Sequence, residues 1–151
     1  MPAMRTHEAP WFPVAVQALI HLARADKECS SAEMAPHLQA HAAFLRRVLA
    51  QLGRAGLIQA REGRAGGYSL ARPADAITLA DVYLAALPCA TAEDDAEPCA
   101  PATHAALLAA LEEVDAAVDR ARLEVLNHYT IASILDRAHA IDRERRGLPL
   151  A

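Results

Sequence analysis

The chain has 151 residues, 54 % hydrophobic and 23 % charged, the size and balance of one soluble domain or a domain plus an arm. No apolar run nears the ~20 residues that cross a membrane. The opening MPAMRTHEAPWFP lacks the apolar core of a secretory leader, so a cytoplasmic chain is expected. Alanine makes up roughly a quarter of it, which favours helix but gives thin cores. Three cysteines in a reducing compartment suggest thiols or ligands rather than a disulfide framework. A net charge of −4 speaks against a nucleic-acid partner, yet residues 41–72 hold six arginines against Glu62 alone, while residues 89–151 hold six arginines against twelve acids. This basic patch in an acidic chain is the asymmetry to follow.

In chain order, VAVQALIHLAR (Val14–Arg24) reads as a helix with Ala15, Leu19 and Leu22 on one face. It breaks near Asp26–Cys29. Ser30-Ser31-Ala32-Glu33 is a capping box that opens a short helix to about Leu38, with Pro36 inside it. In FLRRVLAQL (Phe44–Leu52), Leu45, Val48, Leu49 and Leu52 form a buried stripe, with Arg46, Arg47, Gln51 and Arg54 on the other side and Gly56 as the stop. Leu57–Arg61 and Tyr68–Ala71 flank Gly63-Arg64-Ala65-Gly66-Gly67, the pattern of a β-hairpin. Thr78-Leu79-Ala80-Asp81 is a second capping box, opening a helix to about Leu87.

Pro88–Pro101 holds three prolines and the acids Glu93, Asp94, Asp95 and Glu97, so no packed element is expected there. A long helix is predicted from Thr103 to about Leu126. Leu107, Leu111, Val114, Val118, Ala121 and Val125 recur along it at spacings of four and three, a coiled-coil seam that predicts a homodimer. A terminal helix from Thr130 to about His139 precedes a charged tail. The expected division is a winged helix–turn–helix unit with an N-terminal arm (1–87), a cysteine-bearing sensor loop (88–102), and the dimerisation and terminal helices (103–151).

Three helices followed by a glycine-tipped hairpin is the order of a winged helix–turn–helix, a mainly α fold with a small β-hairpin wing. Its third helix fits the major groove, where arginine can bond guanine O6 and N7 together. Its wing follows the backbone or the minor groove. Double-stranded DNA is the expected partner. The chain resembles the Rrf2 family of bacterial regulators, which includes iron–sulfur, nitric-oxide and cysteine-metabolism regulators. The residues that carry the likeness are Val14-Ala15-Val16, Ala18-Leu19 and Leu22-Ala23; Phe44-Leu45, Val48-Leu49, Leu52 and Ala55-Gly56-Leu57-Ile58; Gly63, Gly66-Gly67-Tyr68 and Leu70; and Ile77-Thr78-Leu79-Ala80-Asp81-Val82.

The resemblance implies a dimer that reads DNA through outward residues early in the third helix, here Ala43, Arg46 and Arg47. Family wings often place an arginine before the first glycine; Glu62 stands there, so Arg61 or Arg64 takes that role. The usual turn glycine is Gln39 and the usual cap is His41. Sensor members carry three loop cysteines around an iron–sulfur cluster. This loop has Cys89 and Cys99, with His104 five residues on, and cluster iron wants about four ligands. His104, or His7 or Glu8 from a partner's arm, would have to complete a metal site, and the family's acidic N-terminal ligand falls at Pro13. Three readings stay open: an iron–sulfur or metal site, a redox disulfide between Cys89 and Cys99, or neither. Cys29 is expected to be a buried small residue. His37 and His41 stand four apart, a weak metal pair, and Trp11 and Phe12 are expected to anchor the arm against the dimer.

No phosphate-binding loop and no convergent acid, base and nucleophile are present, so an enzyme is not expected. The expected function is transcription regulation, as a repressor, through a redox or metal signal at the loop. The alternative is a dimeric interaction module of the same fold without DNA binding.

Overall fold

Among the described residues, three capping boxes punctuate the chain. Ser30, Thr78 and Thr130 each accept the backbone N–H three residues on, and Glu33, Asp81 and Ser133 reach back. The computed structural model describes residues 11–25, 27–63, 66–91 and 105–147. Its elements are α1 (Trp11–Arg24), α2 (Ser31–Leu38), α3 (Ala42–Arg54), β1 (Ile58–Arg61), β2 (Gly67–Leu70), a 3-10 turn (Ala74–Ala76), α4 (Leu79–Ala86), α5 (Pro88–Thr91), α6 (Ala105–Asn127) and α7 (Ile131–Arg145). The fold is mainly α with a two-stranded antiparallel wing, as expected.

The core is built from the periodic faces. Ala15, Ala18, Leu19 and Leu22 of α1 and Leu45, Val48, Leu49 and Leu52 of α3 are buried together with Met34, Leu57, Ile77, Val82 and Ile131. Trp11 belongs to this core, which corrects its expected place in an arm. It opens α1, and Tyr83 of α4 packs on it with ring centres 5.4 Å apart. Phe12 flanks the same tyrosine at 5.8 Å.

In the wing, Ile58 pairs with Leu70 and Arg61 with Gly67. Cys29, ahead of α2, adds a one-residue third strand: its N–H donates to the Tyr68 carbonyl at 3.0 Å, and Tyr68 N–H donates back at 2.8 Å. Gly67 is required by that approach, since a Cβ would stand 2.8 Å from the Cys29 backbone. Cys29 is buried, as expected of a small core residue.

The turn between α2 and α3 is irregular in the way its residues suggest. Gln39 takes a left-handed φ of 49°, where glycine is strain-free, and His41 caps α3 with no side-chain bond. Two elements run differently from expectation. Pro88–Thr91 is not open loop but a helical turn packed on α3. Helix α7 continues through the charged tail to Arg145, because Arg and Glu are good helix formers and Asp142 holds Arg146 at 3.0 Å one turn on.

Helix α6 joins the rest at its C-terminal end. Leu79 N–H donates to the Tyr129 carbonyl at 2.8 Å, and Ile131 N–H donates to the Ile77 carbonyl at 2.9 Å. Arg122 donates to the Tyr83 hydroxyl at 2.6 Å and lies over its ring. Along the rest of α6 the predicted seam is bare in the single chain: Leu107, Leu111, Val114, Val118 and Val125 are each at least half exposed, and Ala121 is exposed too.

Candidate nucleic-acid interface

Helix α3 turns its leucine and valine stripe inward, which leaves Ala43, Arg46 and Arg54 on the outside, all exposed. Beside it, Arg61 ends β1, three-quarters exposed, and pairs with Glu28 at 3.3 Å. So loose a surface pair is worth little in water, and Arg61 can exchange Glu28 for a phosphate. At the far end of the wing, Arg72 reaches Asp81, the capping acid of α4, at 3.3 Å. Arg64 lies outside the described residues.

Arg47 departs from the expected set. It is half-buried, its guanidinium 5.4 Å over the Phe44 ring, and its charge acts on the thiol of Cys89. Cys89 is 2 % exposed. Burial pushes its thiol above the ordinary value, while the nearby Arg47 pulls the other way. The sequence separates these residues by more than forty positions, and nothing in local periodicity pairs them. Arg47 faces away from the buried stripe on the α3 wheel, yet it is half-buried, and α5 packs on the same helix. Cys99, His104 and the four loop acids lie outside the described residues. Among the described residues, no group of three or more His, Cys, Asp or Glu side chains converges on a metal position.

The other pairings differ as well. His37 does not meet His41; it stacks on His21 of α1 with ring centres 5.4 Å apart. Pro13 lies within α1. No described helix is long and apolar enough to cross a membrane.

Comparison with known proteins agrees with this geometry. Residues 11–137 match the family model Rrf2, described as an iron-dependent transcriptional regulator. Over 72 residues the chain is 38 % identical to the HTH-type transcriptional regulator IscR of Cereibacter sphaeroides, covering 45 % of this chain and 46 % of that one. The match thus spans about half the length of that relative. Among solved structures, T. potens IscR superposes with a TM-score of 0.61 at 24 % identity over 85 % of each chain. CymR, the global cysteine regulator of B. subtilis, superposes at 0.58 and 22 % identity over 91 % of this chain and 98 % of its own. At such identities the structures speak for the fold. The match to the family model along most of the chain speaks for descent: this chain belongs to the Rrf2 family of transcriptional regulators.

Proposed function

We propose that the chain is a homodimeric, sequence-specific DNA-binding repressor whose affinity for its operator is set by the thiols of residues 88–102. The observation that carries this is the packing of α5, the start of that segment, on α3, with Cys89 buried there. In this reading Ala43 and Arg46 meet base edges in the major groove, Arg61 and Arg64 meet the backbone or minor groove, and Arg47 shares its charge between groove and thiol. The seam from Leu107 to Val125 pairs two copies, which sets the two reading helices about one helical turn of duplex apart, 34–36 Å.

The signal is a change of state at sulfur. Oxidation by a two-electron oxidant such as a peroxide removes one proton and one electron from each of the Cys89 and Cys99 thiols and joins the sulfurs. A buried neutral thiol is a slow nucleophile, so this is a slow switch. The disulfide draws Cys89 away from Arg47, and the seating of α5 on α3 changes with it.

A second reading is favoured by the family's description as iron-dependent: Cys89, Cys99 and His104 would serve as ligands to iron or an iron–sulfur cluster. The described donor fits that poorly. Cys89 is buried and protonated beside an arginine, and two loop thiolates fall short of the about four ligands a cluster needs.

Operator binding by reduced, oxidised and iron-reconstituted protein tests the proposal. Oxidation should weaken binding in the parent and in Cys29→Ser, but not in Cys89→Ser or Cys99→Ser. Equal affinity in all three states rejects a sensor role for this segment. A response to iron alone, with an absorbing chromophore, favours the second reading.

A further inference from the structure

Helix α6 is tied to the rest of the chain at its C-terminal end. There Leu79 N–H donates to the Tyr129 carbonyl at 2.8 Å, Ile131 N–H donates to the Ile77 carbonyl at 2.9 Å, and the Thr78 hydroxyl donates to the Asn127 side-chain oxygen at 3.3 Å. A second tie lies a little over one turn further back. Arg122 donates to the Tyr83 hydroxyl of α4 at 2.6 Å, with its guanidinium 5.3 Å over that ring. From there toward the N-terminus, every residue from 106 to 121 is exposed in the single chain. We propose that Arg122 and Tyr83 are positioning residues: together they fix the direction of α6 against the DNA-reading unit, and with it the half-site spacing that the dimer accepts. This rests on the dimeric, operator-binding reading above.

Both partners of this second tie are held in place. The Tyr83 ring packs on Trp11 with centres 5.4 Å apart and on Phe12 at 5.8 Å, and Trp11 is buried in the core. On the other side, the guanidinium nitrogen that reaches Tyr83 also donates to Asp119, one turn back on α6, at 2.9 Å. A charged donor on the hydroxyl and a cation over the ring reinforce each other at one residue.

Geometry gives the contact its leverage. A rod tied only at one end turns about that end, and a second tie away from it sets the direction. Leu107, at the far end of the apolar seam, lies ~22 Å from Arg122 at about 1.5 Å per residue. A turn of ~10° between helix and reading unit therefore shifts one against the other by ~4 Å at that distance, about the rise of one base pair. The core does not depend on the contact. Arg122 is exposed, and phenylalanine at position 83 keeps the ring that packs on Trp11 and Phe12. Neither residue lies on α3 or the wing, so cutting the tie leaves the side chains that face each half-site as they are.

Full-length parent, Tyr83→Phe and Arg122→Gln test this on an operator selected by the parent from random duplex, and on versions with the half-sites moved one base pair closer or further apart. The parent should prefer one spacing. Both variants should lower the ratio of affinities between that spacing and its neighbours at least about threefold, with affinity for a lone half-site unchanged. Emission of Trp11, the one tryptophan of the chain, checks that the aromatic packing stands. Tyr83→Phe, which keeps the ring, carries the test where Arg122→Gln does not fold. An unchanged spacing preference in Tyr83→Phe overturns the proposal, as does an equal loss at the lone half-site, which marks general damage to the reading unit. A parent that binds every spacing alike also overturns it, with DNA binding left in place. A parent that binds no duplex fails the reading beneath it, and the inference with it.

Discussion

Arg47 of α3 lies near enough to Cys89 of α5 for its charge to act on that thiol, so the helix that carries the candidate base readers is electrostatically coupled to the segment that carries the loop cysteines. Arg47 lowers a thiol that burial raises. Its removal should therefore move the midpoint of Cys89 alkylation, followed on the Cys89 peptide by mass spectrometry, to higher pH. The midpoint is the informative quantity, because a smaller side chain also opens access and changes the rate at any single pH. An Arg47→Ala midpoint equal to the parent's would show that the two groups do not interact.

The same thiol makes stability depend on pH. In the folded chain Cys89 deprotonates at higher pH than in the unfolded chain. Below the ordinary thiol value both states are protonated, and its contribution is fully present. As pH rises through the alkaline range the unfolded chain loses its proton first, and stability falls. Urea midpoints between neutral and alkaline pH should decline in the parent and decline less in Cys89→Ser. Parallel slopes in the two proteins would contradict this assignment.

The exposed seam of α6 predicts its own partner. Six apolar positions from Leu107 to Val125 span ~27 Å of helix at about 1.5 Å per residue, and soluble monomers seldom leave so long an apolar stripe in water. Val114→Asp or Val118→Asp should give monomer or insoluble protein by sedimentation. A parent chain that sediments as a stable monomer at micromolar concentration would remove the dimer from the account.

At the DNA face the arginines should separate by role. Arg46→Ala should relax base preference on a selected operator at a cost of about 1–3 kcal/mol if the contact is bidentate. Arg61→Ala and Arg64→Ala should weaken all duplexes alike and lower the salt slope. Arg47→Ala should lose both DNA affinity and folding stability, because its stem and guanidinium are packed. Unchanged operator binding in all four variants would leave the fold in place but refute this contact map.

What the sequence revealed and what it concealed divides along one physical line. Caps and periodic faces are local: Ser30–Glu33, Thr78–Asp81, the Leu45–Leu52 stripe and the glycine-tipped wing all announce themselves within a few residues, and the structure holds them as expected. The α6 seam is local too, since its spacing alone sets it on one face. The rest depends on what packs against an element. Arg47 lies opposite the buried stripe and reads as an outward residue, yet it is half-buried over the Phe44 ring. His37 has a neighbour four residues on in His41, yet the α1–α2 crossing gives it His21. Trp11 sits between prolines and looks like part of an arm, but Tyr83 receives it. The cap at Thr130 lacks the acid that signals a capping box at a glance, because Ser133 performs the return bond.

The measurement that bears most directly on the central claim is the affinity of the purified protein for duplex DNA across a salt series from 50 to 200 mM. A protein that neutralises several phosphates with the arginines of α3 and the wing loses affinity steeply over that range, by about 10³-fold or more at six contacts. The account predicts such a fall, shallower in Arg61→Ala. A parent protein that binds no duplex at 50 mM salt, or binds with no salt dependence, would contradict DNA binding and favour an interaction module of the same fold.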